Sequence, residues 1–204
     1  MSSHTRVFLF SGLIVSFICT GMRCDPKVKR KDPGDVIDYS GRWNDSDSQM
    51  VAAAVIEDCL AHAWIDEYKN ENNKRPVMVV GRVKNKSHEH IDTEFFTKEF
   101  EKALIKSGRV RVVAEKDMRE DVRAERKDIQ LNADPATIKK FGKEIGADFV
   151  LLGVVGTIKD EVKSRYVMYY QVDLELINIE TNEKVWIGEK KLKKDIKKKS
   201  FKLF

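Results

Sequence analysis

The sequence is poor in the residues that most often mark a catalytic or metal site. It contains only 3 cysteines and 11 glycines among 204 residues. It has no glycine-rich phosphate loop, serine-centred nucleophile elbow or paired-cysteine metal motif, which excludes the commonest enzyme signatures. The apolar run at residues 7–18 is shorter than the roughly 20 residues that a membrane-spanning helix needs. The composition therefore argues against an enzyme and against a spanning helix at this position.

The N-terminal segment, residues 1–24, has the pattern of a bacterial export signal. His4 and Arg6 precede the apolar run, and a polar stretch follows it. A positive charge followed by a short apolar stretch is typical of a cleaved secretory signal. The alternative is a buried first helix or strand, but the polar stretch would leave such an element without amphipathic neighbours. We therefore predict a signal peptide of the lipoprotein type over residues 1–23.

Two of the cysteines lie at the end of the apolar run, where a lipoprotein signal places its acylated cysteine. We favour Cys24 for lipidation because a charged, proline-containing sequence begins at Asp25, and Cys19 is the alternative. Neither has the leucine-like residue three positions before it that a standard lipobox contains. Cys59 would then be the lone thiol of the mature chain. Its place on an apolar helix face predicts a small buried hydrophobe rather than a reactive site.

A polar segment separates this signal from the rest of the chain. Residues 24–46 contain Pro26, Pro33 and Gly34, many charges and few sizeable apolar side chains. Such a composition cannot bury enough surface to order itself. We predict a flexible tether of about 20 residues that spans roughly 25 Å as a coil.

The positive charge is concentrated at one end of the sequence. The formal net charge is +5, and removing the signal with Arg6 and Arg23 leaves +3. The segment 190–202 has eight lysines and one aspartate, a net +7, so residues 24–189 sum to −4. We predict a mildly acidic body with a basic C-terminal tail over residues 196–204. This distribution argues against binding to nucleic acid, and the tail is either solvated or in contact with anionic lipid or polymer.

The remaining residues, 47–195, predict a single small α/β domain. Short β-branched runs indicate buried strands, and apolar residues at helical spacing behind capping residues indicate helices. The predicted elements are a helix from residues 45–48 to about 64, a strand at 76–83, a helix at 92–108, a strand at 110–113, a surface helix at 115–129, a helix at 134–146, a strand at 149–158 and a hairpin of 166–179 with 184–192. This order implies a mixed sheet of about five strands with helices packed on it.

The loop after the first strand and the exposed side of the hairpin form the candidate contact surface. The loop residues are Asn85, Lys86, Ser87, His88, Glu89 and His90. They follow the C-terminal end of a strand, where open α/β sheets often place binding groups. His88 and His90 could hold a metal only with further ligands, so loop polarity is the better explanation and we predict no metal or cofactor.

A pair of tyrosines in the hairpin adds a further candidate contact residue. Alternation along the strand puts Tyr169 and Tyr170 on opposite faces of the sheet. Tyr169 is our candidate for an exposed contact residue, because a large amphipathic ring anchors interfaces well. The alternative is that it packs across the strands against Trp186.

Several motifs resemble the penicillin-binding protein activator LpoB family. They are Gly41-Arg42-Trp43-Asn44-Asp45-Ser46-Asp47-Ser48, Val83-Lys84-Asn85-Lys86-Ser87 with Glu89-His90-Ile91, Gly146-Ala147-Asp148, and Tyr170-Gln171-Val172-Asp173-Leu174-Glu175-Leu176-Ile177-Asn178 followed by Thr181-Asn182-Glu183-Lys184-Val185-Trp186-Ile187-Gly188. The resemblance runs from about residue 40 to 194, which is nearly all of the predicted domain.

The resemblance implies a non-catalytic envelope lipoprotein that activates a class A penicillin-binding protein by protein contact. It also implies a fold similar to the N-terminal domain of TolB. We expect a monomer on the periplasmic face, held by N-terminal lipid, and we favour the outer membrane over the inner one. Two features depart from the family pattern. The tether is short, and Asp25 directly after Cys24 favours inner-membrane retention in enterobacterial sorting.

The alternative function is a structural or assembly component of the envelope. Folds related to this family also occur in the periplasmic parts of secretion pores such as the curli exporter. A discrete ring in solution would favour this alternative, and a monomer would favour the activator.

Overall fold

The computed structural model describes residues 29–134, 136 and 143–197. The chain divides into two units, Met1–Pro33 and Gly34–Phe204. In the first unit the described residues are 29–33, and all of them are exposed. The helices and strands given below belong to the second unit.

The second unit is an α/β domain built on one mixed sheet. Its helices are α1 (Asp45–Ala61), α2 (Trp64–Asn72), α3 (Thr93–Ser107) and α4 (Lys116–Asn132), and its strands are β1 (Val77–Lys86), β2 (Arg111–Val113), β3 (Phe149–Val162), β4 (Arg165–Asn178) and β5 (Lys184–Lys197). The sheet order is β2-β1-β3-β4-β5. Strand β1 runs parallel to β2 and β3, and β4 runs antiparallel to β3 and β5. The predicted class and the five-stranded mixed sheet are confirmed, whereas the likeness to TolB stays a prediction.

The core lies between the sheet and helices α1 and α3. These helices contact each other, and α1 packs against β5 while α3 packs against β1. Alternate residues of β4 point into this core, and Val172, Leu174 and Leu176 are fully buried. Burying each such aliphatic side chain stabilises the fold by roughly 1.5–3 kcal/mol.

The first predicted helix is confirmed as α1, and it is followed by a second helix, α2, that the sequence did not predict. Helix α1 ends at Ala61 because His62 adopts extended backbone angles, and α2 begins at Trp64. The indole N–H of Trp64 donates to the carbonyl of Cys59 at 3.0 Å, which satisfies one of the carbonyls left open at the end of α1. The Trp64 ring also packs edge to face on Phe149 of β3, with ring centroids 5.2 Å apart. This long-range packing favours the break between the two helices.

Three other predicted elements have different outcomes. The surface helix after residue 115 is confirmed as α4, which has no buried residue. The helix predicted at 134–146 falls mostly outside the described residues, and the described part at 143–147 is not helical. The hairpin is confirmed, and its second strand continues past the predicted end at 192 to Lys197.

Candidate functional site

The contact loop, residues 85–90, is closed on itself by the side chain of Asn85. Its Nδ2 donates to the carbonyl of Glu89 at 2.9 Å and to that of Ile91 at 3.4 Å. Its Oδ1 accepts from the backbone N–H of Ser87 at 2.9 Å. An asparagine that bonds its own backbone two residues on is a common device for fixing a turn. The loop therefore has a defined shape before any partner arrives.

The loop is also attached to strand β3. The pairing of β1 with β3 continues to Lys86, which lies opposite Gly156. Just beyond, the backbone N–H of His88 donates to Thr157 Oγ1 at 3.1 Å, and His88 Nδ1 lies 2.8 Å from the same oxygen. The side chains of Lys86, His88 and His90 are exposed. The loop thus presents basic and imidazole groups from a fixed backbone.

Glu89 differs from its neighbours because its carboxylate is engaged inside the molecule. Its Oε2 accepts from the hydroxyl of Tyr170 at 2.9 Å and from the backbone N–H of Trp43 at 3.0 Å. Tyr170 is 0 % exposed. Burial and then the nearby carboxylate raise the pKa of Tyr170, so its hydroxyl remains a hydrogen-bond donor at neutral pH. Glu89 therefore ties the loop to the sheet core.

The segment just before α1, residues 38–44, crosses this end of the sheet, and we call it the strap. The Trp43 ring packs edge to face on Tyr170 with centroids 5.4 Å apart, and its indole N–H donates to Ser48 Oγ at 2.7 Å. Asn44 forms a capping box with Asp47 at the start of α1. The sequence had assigned these residues to the tether. In the structure they contact helix α1, the contact loop and strand β4.

Lys194 of β5 fastens the strap. Its ammonium lies 2.7 Å from Asp38 Oδ2 and 2.6 Å from Asp47 Oδ2, and it donates to the carbonyl of Arg42 at 3.0 Å. Burial alone would lower the pKa of Lys194, but the hydrogen bonds to the two carboxylates outweigh it and raise the pKa. The partly buried lysine is thus charged and paired with both carboxylates, the condition under which a charge shielded from water is tolerated.

Glycine is required where the strap meets β5. Gly41 has φ of +70°, a left-handed conformation that side-chain-bearing residues rarely adopt. A Cβ at this position would collide with the side chain of Ile196. The strap therefore lies closer to the sheet than any other residue type at position 41 would allow.

Tyr169 lies on the other face of the sheet, as the alternation predicted. Its neighbours across the strands are Ile158 of β3 and Lys193 of β5. Trp186 instead pairs with Leu176 and donates its indole N–H to Asp58 of α1 at 2.9 Å, so the alternative of Tyr169 packing against Trp186 is wrong. The structure brings the six loop residues together and places Tyr169 on the opposite face from Tyr170.

The structure bears on only some of the cysteine and metal predictions. Cys24 and Cys19 lie outside the described residues. Cys59 is buried, and burial raises the pKa of its thiol to about 12, so the thiol is protonated and unreactive at neutral pH. Within the described ranges, no group of three or more His, Cys, Asp or Glu could hold a metal ion. No helix in the same ranges is long and apolar enough to cross a membrane.

A comparison with protein families identifies the class. A family model described as "Peptidoglycan-synthase activator LpoB" matches residues 47–192. The chain therefore belongs to this family of peptidoglycan-synthase activators, which are regulatory proteins. The match covers the domain from α1 into β5, and the resemblance stated from the sequence motifs is confirmed.

Solved structures of known proteins include members of the same family. The LpoB C-terminal domain from Salmonella enterica is 16% identical, with a TM-score of 0.38, and the match covers 72% of this chain and 98% of that one. The NMR structure of E. coli LpoB is 13% identical with a TM-score of 0.39, covering 97% and 96% of the two chains. Lipoprotein GNA1162 from Neisseria meningitidis is 13% identical with a TM-score of 0.38, covering 59% and 83%. No curated protein matches the chain.

Proposed function

We propose that this protein binds a class A penicillin-binding protein and activates it by contact, without catalysing a reaction itself. The observation that carries the proposal is the family match over residues 47–192, which spans nearly the whole α/β domain. The motifs Gly41-Arg42-Trp43-Asn44 and Asn85-Lys86-Ser87, which carried the resemblance, supply the strap and the contact loop.

The contact loop and the partly exposed Tyr169 are the proposed partner-binding residues. The hydrogen bonds of Asn85 and Glu89 support this assignment, because a loop held in one shape loses little conformational entropy when it binds. Lys86, His88 and His90 point outward and are available to a partner. Tyr169 offers a second contact on the other face, near Ile158, which is 67% exposed.

The proposed anchor is lipid on Cys24, with Cys19 as the alternative residue. Several acyl chains on one N-terminal cysteine are enough for stable membrane attachment. We place the anchor in the outer membrane in preference to the inner membrane, with the domain on the periplasmic side. Residues of the tether before the strap would connect the anchor to the domain, and the protein would act as a monomer.

The test is to add the full-length chain, solubilised in neutral detergent, to purified class A synthases from the same organism. We expect at least one synthase to polymerise or cross-link glycan faster, and Lys86→Ala to weaken this effect. Lys127→Ala is the matched control, because Lys127 is an exposed lysine on α4, away from the contact loop.

The possible outcomes test the proposed function and the proposed contact loop independently. If no class A synthase binds or changes its rate, the proposed function is wrong. If activation occurs but Lys86→Ala and Lys127→Ala behave alike, the function stands and the contact loop loses its assigned role.

A further inference from the structure

A groove of about 380 Å³ opens between the strap, the contact loop and the start of strand β4. Its basic and imidazole residues are Arg42, Lys159, His88 and His90, and its apolar floor includes Trp43 and Tyr166. The sequence reasoning missed Arg42, Trp43, Lys159 and Tyr166. The Gly41-Arg42-Trp43-Asn44 motif was the available signal for the first two.

Two cations, Arg42 and Lys159, and one carboxylate line the groove. The carboxylate among its lining residues is Glu89, and that group is occupied by Trp43 and Tyr170. The ammonium of Lys159 pairs with Glu161 and lies 5.1 Å from the Tyr166 ring centroid. The side chain of Arg42 is exposed at the rim.

This local charge contrasts with the rest of the domain. Residues 24–189 carry a formal net charge of −4, yet the groove collects basic side chains over aromatic ones. An arginine recognises a carboxylate through two parallel hydrogen bonds, and aromatic rings below it accommodate the apolar stem of an incoming glutamate. A cluster of this kind also attracts an anionic segment from solution.

We propose that this groove is a docking site for an acidic, carboxylate-bearing segment of the partner protein, and that the seated strap completes it. The site deepens the proposed function and rests on it for the identity of the partner. The tests below use no synthase, so their failure would not depend on whether a synthase is activated.

The strap is required because it supplies Arg42 and Trp43. These residues are held in place by contacts on both sides of them. Before them Asp38 pairs with Lys194, and after them Asn44 caps α1. Glu89 links the strap to the loop wall of the groove through the Trp43 N–H. Releasing the strap would therefore remove one wall of the groove and loosen the other.

The first test measures binding of fluorescently labelled hexaglutamate to the full-length chain in neutral detergent by anisotropy. Arg42→Gln should weaken binding by about two- to fivefold, which is what loss of one exposed ion pair typically produces. Arg111→Gln is the matched control, because Arg111 is an exposed arginine on β2 at the opposite edge of the sheet. Both variants keep the lysine-rich segment after residue 189, so its attraction for the peptide affects them equally.

Three results would overturn the site. One is equal weakening by Arg42→Gln and Arg111→Gln. Another is no measurable binding of hexaglutamate. The third is that the chain binds vesicles rich in anionic lipid but does not bind hexaglutamate. The last result would assign the groove to a membrane surface instead of a protein segment.

The second test addresses the strap. Asp38→Ala removes a negative charge, so simple electrostatics predicts tighter binding of the anionic peptide. If the strap completes the groove, binding should instead weaken by a similar factor of about two to five. Asp35→Ala is the control, because it removes an exposed carboxylate just before the strap. Unchanged or tighter binding by Asp38→Ala would contradict the role of the strap.

Discussion

At the scale of single residues, Asp38 and Lys194 determine how the strap responds to acid. The hydrogen bond from Lys194 holds the pKa of Asp38 below its usual range. A carboxyl group whose pKa is lowered by folding stabilises the folded state above its unfolded pKa, and this contribution is lost as the pH falls through the folded pKa. The ion pair should therefore hold the strap against β5 at neutral pH and be lost in strong acid.

We predict that the difference in free energy of unfolding between the wild type and Asp38→Ala is constant from pH 7 down to about 5. It should shrink below about pH 4, near the unfolded pKa of aspartate. Urea denaturation at a series of pH values measures it, with Asp35→Ala as the control for loss of a carboxylate alone. A difference that persists undiminished at about pH 2 would show that the ion pair does not fasten the strap.

The sequence predicts some of these residues well and others not at all. The two-residue period of a strand was enough to place Tyr169 and Tyr170 on opposite faces. The inward turn of Glu89 could not be predicted, because it depends on Tyr170, 81 positions away, and on a strap residue. The same holds for Lys194, whose lysine-rich surroundings suggest a solvated side chain, whereas it forms ion pairs with two distant aspartates.

At the scale of elements, the contact between β5 and α1 depends on a small residue. A Cβ on Gly188 would collide with the Trp186 ring and lie 2.8 Å from Val55 of α1. Around Gly156 of β3, no described atom lies within 4 Å of such a Cβ. The two glycines thus offer a matched comparison within one sheet.

We predict that Gly188→Ala lowers the free energy of unfolding by about 1–3 kcal/mol, the usual cost of overpacking a core. Gly156→Ala should be neutral or stabilise by up to about 1 kcal/mol, because alanine restricts the unfolded chain more than glycine does. Chemical denaturation compares the two. Equal effects would mean that the Trp186 ring and Val55 can make room for the added methyl group without cost.

Helices and strands with clear periodicity were predicted correctly, and the errors have physical causes. The break between α1 and α2 depends on Trp64 packing against Phe149, a contact that no local pattern encodes. The strap was assigned to the tether because its few apolar residues are isolated in sequence. They find their partners only when β4 and β5 are in place.

At the scale of the whole molecule, we predict a lipidated monomer. Native mass spectrometry of the protein extracted from its own envelope in detergent should give one copy per particle, and the intact mass should exceed that of the cleaved chain by the mass of its acyl groups. The physical reason for the added mass is the lipid expected on Cys24.

Two results would contradict this picture. A mass equal to the unmodified cleaved chain would mean that the protein has no lipid anchor. A discrete ring of many copies would favour the structural or assembly role over the activator.

The topology of the sheet also bears on the order in which the chain folds. Strands β3, β4 and β5 are consecutive and joined by short turns, so their pairing closes only small loops. The parallel pairing of β1 with β3 must instead enclose all of residues 87–148. Local pairings form fastest because they lose the least chain entropy. The antiparallel meander should therefore form early, and the contact loop, strap and groove can be completed only after β1 has docked on its free edge.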